Sequence, residues 1–170
     1  LNSVIKKAKE IIRFELDLRY EAAAASELKE NTKNDHSFYV PKIYWENVTK
    51  KVLTIERISG TPADKIELLR TNNINLRKIA DQLIINFLRQ AIRDGYFHAD
   101  LHQGNLFIDE NSNLIAVDFG IMGRLDKKNR RFLAEIIFGF INQDYLKIAK
   151  IHKEAGLIDL FRYSRSQERM

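Results

Sequence analysis

The spacing of hydrophobic positions predicts a chain that is mainly helical at both ends, with short strands between. Apolar residues from Val4 onward, followed by an alanine-rich centre, predict one long helix over residues 3–31. That helix should end in the polar stretch from Asn31 to Ser37. Apolar runs at residues 43–45 and 52–58, joined by a polar turn, predict a β-hairpin.

Further along the chain, the helical period of three to four residues returns. Pro62 suits the first turn of a helix that ends near Leu69. A clearer helix is predicted over residues 76–94, ending at Gly95, and two more over residues 127–142 and 145–155. The predicted core positions of the clearer helix are Leu76, Ile79, Ala80, Leu83, Ile84, Phe87, Leu88, Ala91 and Ile92. The tail after Gly156 is expected to be mobile.

A short β-ribbon in the middle of the chain carries the candidate chemistry. Two apolar runs, residues 106–108 and 114–117, flank a turn-forming stretch, and pairing Leu106 with Val117 would place Asn105 opposite Asp118. Opposed residues in an antiparallel pair have Cα atoms about 4.5 to 5.5 Å apart, so both side-chain oxygens could reach one hard cation. Asp100 lies in the loop that enters the same end of the ribbon.

These three residues have the spacing of a protein-kinase-like phosphoryl-transfer site. An Asp, an Asn five residues later and the Asp of a D-F-G sequence are present at Asp100, Asn105 and Asp118. In such a site the first acid orients or deprotonates the acceptor, and the other two residues hold Mg²⁺ that bridges the nucleotide phosphates. The pattern therefore predicts a catalytic Asp100 and metal ligands Asn105 and Asp118.

Composition and charge narrow the classes of function. The chain has no cysteine, which excludes disulfides and thiolate chemistry, and no apolar run approaches the length of a membrane-spanning helix. The net charge of +5 allows binding to phosphate-bearing partners, but no nucleic-acid-binding motif is present, so we expect no nucleic-acid partner. The basic cluster at residues 127–131 is interpreted as a solvated helix face, with anionic lipid headgroups as the alternative.

The residues around the candidate site resemble a known family. Residues 98–105 read H-A-D-L-H-Q-G-N, which resembles the H-A-D-x-H-P-G-N signature of the UbiB/ADCK family of atypical kinases, with Gln103 in place of the usual proline. Residues 14–23 resemble that family's E-x-D helix, and residues 53–60 resemble the strand that enters its hinge between lobes.

The resemblance implies an α+β, protein-kinase-like fold. Residues 1–60 would form a partial N-lobe with the long helix and the hairpin, and residues 61–156 a mostly helical C-lobe with the catalytic loop and D-F-G. Residues 157–170 would be the mobile tail. Because no K-x-G-Q motif or V-A-I-K strand matches, we expect the chain to be the carboxy-terminal part of a longer kinase-like protein. Its missing N-terminal part could lie on another chain.

The resemblance also assigns cofactor-binding residues on the long helix and in the loop. Glu21 looks like the helix glutamate that pairs with the phosphate-gripping lysine, and Glu15 and Asp17 look like the E-x-D pair that faces the K-x-G-Q segment. His102 could contact the acceptor or shape the loop, and His98 is interpreted as a residue that holds the loop by hydrogen bonds. Because the partner motifs are absent, a solvated acidic face is the alternative for the three acids.

By resemblance, the intact protein would bind ATP or ADP with Mg²⁺ as a kinase or ATPase that supports ubiquinone biosynthesis. Its partners would be prenylated quinone precursors and an anionic membrane surface, and its place the cytoplasm, peripheral on the membrane. The short segment after Gly120, without an A-P-E sequence, argues against protein substrates.

Two alternatives of other classes remain from the sequence. One is a non-catalytic pseudokinase remnant that binds lipid or a partner chain. The other is a metal-dependent hydrolase with His98, Asp100 and His102 as ligands.

Overall fold

A computed structural model describes residues 16–156 and shows an α+β fold. The helices are α1 (Leu18–Asn31), α2 (Ile66–Thr71), α3 (Leu76–Leu88), α4 (Lys127–Ile141) and α5 (Tyr145–Glu154). The strands are β1 (Phe38–Tyr39), β2 (Thr61–Pro62), β3 (Tyr96–His98), β4 (Leu106–Ile108), β5 (Leu114–Ala116) and β6 (Met122–Arg124). Short 3₁₀ turns occupy Trp45–Asn47 and Gln103–Asn105, and α3 continues as a π-helix over Arg89–Asp94.

The strands form two small sheets. The first has the order β1-β5-β4-β2, in which β1 runs parallel to β5 and the other pairs are antiparallel. The second is an antiparallel ribbon of β3 and β6. The helix α1 packs its small residues Ala22 and Ala25, together with Leu28, into the core, where none of the three is exposed. The sheet contributes the buried side chains Leu106, Ile108, Leu114 and Ala116.

The helix α1 begins later than the hydrophobic period predicts. Asp17 has an extended backbone, with φ −109° and ψ 93°, and its carboxylate accepts the backbone N–H of Arg19, so it is the N-cap. The prediction of an unbroken helix through residue 17 is therefore wrong, although the helix does end at Asn31 as expected. The predicted part before residue 16 lies outside the described residues.

The predicted hairpin is present as an antiparallel path with little regular strand. Ile43 and Ile55 form one isolated bridge, flanked by hydrogen bonds from Tyr44 N–H to Thr54 O (3.0 Å) and from Glu56 N–H to the Lys42 carbonyl (2.8 Å). The turn residues Trp45–Asn47 wind into a 3₁₀ turn, which shortens the first arm.

Pro62 lies in a strand, so the predicted helix start at this residue is wrong. Pro62 lies in β2 and pairs with Phe107 of β4. Because β2 is an edge strand of the four-stranded sheet, a residue there can lack a backbone N–H without loss of an inter-strand hydrogen bond. The next residue, Ala63, donates its N–H to Leu106 O at 2.9 Å, and α2 begins only at Ile66.

The helix α3 spans the predicted range, but it does not bury the predicted face throughout. Ile84, a predicted core position, is 58% exposed, whereas the amides Asn86 and Gln90, which were not predicted, are 1% and 0% exposed. Gly95 ends the helix with φ 69°, as its position predicts. Within residues 16–156, no helix combines the length and the apolar character needed to cross a bilayer.

A partly buried ion pair joins the segment after α1 to the π-helical continuation of α3. The carboxylate of Asp35 is 5% exposed and accepts two hydrogen bonds from the Arg93 guanidinium, at 2.8 Å each. These hydrogen bonds lower the pKa of Asp35. Asp35→Asn replaces one of the two oxygens that accept from Arg93 with an amide nitrogen that cannot accept, and it removes the charge from both hydrogen bonds. The free energy of unfolding should therefore fall by about 2 kcal/mol at neutral pH.

The same substitution should reduce the loss of folding stability that occurs when the pH is lowered. A carboxyl whose pKa is lowered by folding stabilises the protein above its unfolded pKa of about 3.9, and that contribution is lost as the pH falls through the lowered folded value. Urea unfolding at pH 7 and pH 3 measures both effects. The control is Glu30→Gln, since Glu30 pairs with Lys33 while 71% exposed and should change stability little. Equal losses of stability on acidification for Asp35→Asn and the parent would contradict the prediction.

Candidate functional site

The loop between β3 and β4 holds Asp100 and Asn105 in a fixed relation. Asn105 is only 7% exposed, and its Nδ2 donates to the Asp100 carbonyl oxygen at 3.2 Å. The 3₁₀ turn Gln103–Asn105 leads directly into β4, which sets the position of Asn105 at the start of the strand. Because the amide nitrogen is used within the loop, Oδ1 is the atom of Asn105 that a hard cation would bind.

His98 connects this loop to the D-F-G sequence. Its Nδ1 accepts the backbone N–H of Asp100 at 3.2 Å, so Nε2 carries the proton and donates to the Asp118 carbonyl at 2.7 Å. Burial lowers the pKa of His98, which is 1% exposed, and this favours the neutral ring that the two hydrogen bonds require. The prediction that His98 holds the loop by hydrogen bonds is confirmed.

Asp118 lies at a sharp bend of the backbone. Its φ is +64°, a conformation that is rare for residues other than glycine, and its Oδ1 accepts the Gly120 N–H at 3.2 Å. The side chain is exposed, while the next residue, Phe119, is 2% exposed and packs against the His98 ring with the centroids 5.7 Å apart. The bend therefore directs an accessible carboxylate outward from a backbone that is held on both sides.

The predicted pairing of Asn105 with Asp118 is wrong by one residue. Leu106 pairs with Ala116, and the Asn105 carbonyl accepts the Val117 N–H at 2.9 Å, so Asn105 lies opposite Val117. Asp118 follows one residue later, at the same end of the ribbon.

The turn at the other end explains this register. Asp109 Oδ1 accepts the backbone N–H groups of Asn111 and Asn113, at 2.9 and 2.7 Å, and Asp109 N–H donates to Asn113 O. This closes the connection one residue tighter than predicted. Since cross-strand pairs in an antiparallel ribbon keep a constant sum of residue numbers, the shift carries through to the site end.

Glu21 contacts the D-F-G sequence directly. Its Oε1 accepts the backbone N–H of Phe119 at 3.1 Å, which joins the first turns of α1 to the end of the ribbon. Glu21 is half-buried. The structure thus places Glu21 at the site end of the molecule, which disfavours a solvated acidic face for this residue.

Asp17 lies beside Glu21 but is already paired. Arg19 donates to its carboxylate from Nε at 2.9 Å and from Nη2 at 2.7 Å, and these hydrogen bonds lower the pKa of Asp17. Asp17 is the N-cap of α1 and so lies just before the first helical residue. Glu15 lies outside the described residues.

A cavity of about 560 Å³ opens where α1 meets the D-F-G sequence. It brings three acids, Asp17, Glu21 and Asp118, to one space, and its lining is completed by Leu18, Tyr20, Ala24, Phe119, Gly120, Ile121 and Met122. Asp100, His102 and Asn105 are outside this lining. A second cavity, of about 500 Å³, is lined by residues such as His36, Tyr39 and Arg57 and contains none of the predicted site residues.

His102 lies next to Asp100. Its Nε2 is 3.7 Å from Asp100 Oδ2, and its Nδ1 accepts the Gly104 N–H at 3.0 Å. The ring therefore shapes the loop and stays near the candidate catalytic acid. Both ring nitrogens of His98, in contrast, are used inside the protein, which disfavours the hydrolase alternative that needs His98 as a ligand. Within residues 16–156, no three His, Cys, Asp or Glu side chains are grouped to hold a metal ion.

Sequence reasoning missed Gln90. This residue is fully buried, and its Oε1 accepts the His98 backbone N–H at 3.2 Å. The available signal was three amides, at residues 82, 86 and 90, that recur every four residues and so share one face of the helix.

Sequence comparison connects this chain to a protein family. A family model described as the ABC1 atypical kinase-like domain matches residues 1–152. The chain is 39% identical over 157 residues to a probable protein kinase UbiB of Histophilus somni, and 38% identical over 159 residues to one of Photorhabdus laumondii. These matches cover 90% and 91% of this chain and 29% of each relative, so the chain spans about three-tenths of the length of these curated relatives.

Structural comparison agrees on the fold. A solved structure of Rv3197 from Mycobacterium tuberculosis, in complex with erythromycin, is similar to this chain with a TM-score of 0.64. The match covers 90% of this chain and 38% of that chain, at 23% sequence identity. At this level of identity, the similarity supports a shared fold.

Proposed function

This chain belongs to the ABC1 atypical kinase-like family, and we propose from that premise that the intact protein binds Mg·ATP as a kinase or ATPase. The family match and the relatives named UbiB support a role in ubiquinone biosynthesis for the whole protein. One observation carries the proposal beyond the family: His98 binds Asp100 N–H and Asp118 O with its two ring nitrogens, which couples the candidate catalytic loop to D-F-G.

The donor atoms at the end of the ribbon suit magnesium. Asn105 offers a carboxamide oxygen and Asp118 a carboxylate, and hard divalent cations prefer such oxygen ligands. We assign these two residues as the Mg²⁺ ligands. The bound Mg·nucleotide would supply the phosphoryl group and the charge neutralisation for its transfer.

Asp100 is the proposed catalytic acid or base. Its backbone is held by His98 Nδ1 on one side and Asn105 Nδ2 on the other, so its carboxylate can orient an acceptor hydroxyl or water without loss of the loop geometry. His102, within 4 Å of this carboxylate, is the proposed acceptor contact. Glu21 and Asp17 line the cavity at D-F-G, where the lysine and K-x-G-Q motifs of the intact protein would meet them.

The acceptor is proposed to be a small or lipid-like molecule. After Gly120 the chain passes straight into β6 and then into α4, whose N-cap is Asp126. This leaves a short connection where protein kinases have a long segment that holds a peptide. Prenylated quinone precursors, reached at the cytoplasmic face of a membrane with anionic lipids, would suit both this short segment and the resemblance to the UbiB/ADCK family.

Removal of the metal tests the proposal. In calorimetry on the intact protein, ADP and ATP should bind in the presence of Mg²⁺, and excess EDTA should weaken binding by at least about tenfold, since phosphate charge would then face the acidic site without a cation. AMP, which lacks the bridging phosphates, is the matched control and should show little dependence on Mg²⁺. Equal affinity for ADP with and without Mg²⁺ would refute the assignment of a metal-dependent nucleotide site.

A further inference from the structure

Where it approaches the catalytic loop, the helix α3 with its π-helical continuation buries amide side chains. Gln82, Asn86 and Gln90 are spaced four residues apart, and Asn86 and Gln90 are 1% and 0% exposed. On the outer side, Ile84 and Ile85 are about half exposed. Burial of an amide is costly unless it makes hydrogen bonds, so the arrangement calls for a specific polar partner.

For Gln90 that partner is the backbone of the strand that carries His98. The β3–β6 ribbon uses Ala99 N–H, which donates to Ile121 O at 3.0 Å. Successive N–H groups of a strand point to opposite sides, so the N–H of His98 points away from β6. Gln90 Oε1 accepts this N–H at 3.2 Å, as the backbone carbonyl of a strand on that side would do.

The backbone of Gln90 is attached to the same strand. The π-helix Arg89–Asp94 ends when Gly95 N–H donates to the Gln90 carbonyl, and β3 begins at the next residue, Tyr96. A π-helical turn inside an α-helix is rare and frequently occurs at functional sites. Gln90 therefore holds both the start of β3, through its carbonyl, and the end of β3, through its side chain.

We propose that Gln90 is a positioning residue for the candidate phosphoryl-transfer site: its side-chain oxygen holds the His98 backbone so that the imidazole can bind Asp100 N–H and Asp118 O together. Asp100 and Asp118 have no hydrogen bond to Gln90 themselves, so the effect passes through His98. This inference deepens the proposed function, and only its kinetic readout rests on that function.

The two polar atoms of Gln90 make separate predictions for substitutions. Oε1 is used, whereas Nε2 has no hydrogen-bond partner among residues 16–156. Gln90→Glu keeps an acceptor oxygen at the same place, and Gln90→Leu removes it at similar volume. Asn86→Leu is the matched control, since Asn86 is equally buried one turn earlier and bonds Ser37 and the Gln82 carbonyl instead of the catalytic loop.

The test measures hydrogen–deuterium exchange of the intact protein over residues 96–106, together with kcat and KM for ATP. Gln90→Leu should raise exchange in this segment at least about tenfold and lower kcat about tenfold, because the loop that carries Asp100 loses its support; KM should change less than kcat, since Asp118 and the cavity at D-F-G lie outside the segment. Gln90→Glu should restore most of the protection and of kcat. Asn86→Leu should leave both close to the parent values.

The outcomes separate the inference from the proposed function. The positioning role is overturned if Gln90→Leu leaves exchange over residues 96–106 unchanged. It is also overturned if Asn86→Leu raises this exchange equally, whatever the activity of either variant. A parent protein without turnover refutes the proposed function, and the exchange measurement still decides the role of Gln90. If Gln90→Leu fails to fold, Gln90→Met provides a second variant without an oxygen acceptor, and a parent-like exchange pattern in that variant overturns the inference equally.

Discussion

Asp118→Asn in the intact protein should reduce Mg²⁺-dependent nucleotide binding by at least about a hundredfold, the equivalent of about 3 kcal/mol. The substitution removes the negative charge that is proposed to bind Mg²⁺ and changes little else. Asparagine adopts the left-handed backbone of this position, with φ +64°, more readily than most residues, and its Oδ1 can still accept the Gly120 N–H. The carbonyl that accepts from His98 Nε2 is also retained. Calorimetry with Mg·ADP measures the effect.

The control for this substitution is Glu110→Gln. It makes the same change in net charge, on an exposed residue in the turn at the opposite end of the ribbon. We expect Glu110→Gln to bind Mg·ADP with the affinity of the parent. Parent-like affinity in Asp118→Asn would remove the assignment of this residue as a metal ligand.

Asp100→Ala should lower turnover by about two to four orders of magnitude, the range typical of a lost general acid or base. Affinity for Mg·ADP should change little, since the variant retains the metal ligands. The backbone N–H and carbonyl of residue 100, which bond His98 Nδ1 and Asn105 Nδ2, are retained in alanine. The loop should therefore keep its shape, and the loss should appear in kcat. Steady-state phosphate release and calorimetry together separate the two effects.

The matched control is Asp64→Ala, which removes an exposed carboxylate that pairs with its neighbour Lys65. It should leave turnover unchanged. Unaltered turnover in Asp100→Ala would show that this carboxylate takes no part in the reaction. Nucleotide binding without turnover in the parent protein would favour the alternative of a non-catalytic remnant that keeps the fold.

Local patterns in the sequence were sufficient where a residue interacts mainly with its own neighbourhood. The end of α1 at Asn31, the end of α3 before Gly95 and the two last helices follow from periodicity and capping residues. The family resemblance rested on residues 98–105, where the candidate catalytic and loop-shaping residues are close in sequence, and extended to residues 14–23 and 53–60. The kinase-like fold class is confirmed by the family match and by the structural similarity to Rv3197.

Sequence reasoning was wrong where a nearby polar group competes with the hydrophobic period. At Asp17, a carboxylate that accepts the backbone N–H of Arg19 makes the described helix begin later than the apolar spacing predicts. At Asp109, the same chemistry tightens a turn by one residue and shifts the whole ribbon register. Short polar side chains can form hydrogen bonds with the nearby backbone, and these compete with the hydrogen bonds of helices and sheets. A pattern of apolar residues does not show at which positions such side-chain hydrogen bonds form.

The sequence by itself determined the family, the helical segments and the identity of the three candidate groups Asp100, Asn105 and Asp118. The tertiary structure alone decided how they are joined: the neutral His98 bridge, the contact of Glu21 with Phe119 and the support from Gln90. The physical reason is that these contacts connect residues 8, 20 and 98 positions apart through backbone atoms, which every residue type carries. Because backbone donors and acceptors are the same in nearly all residue types, the sequence does not show which of them a side chain will bind, and the partner is identified only in the folded structure.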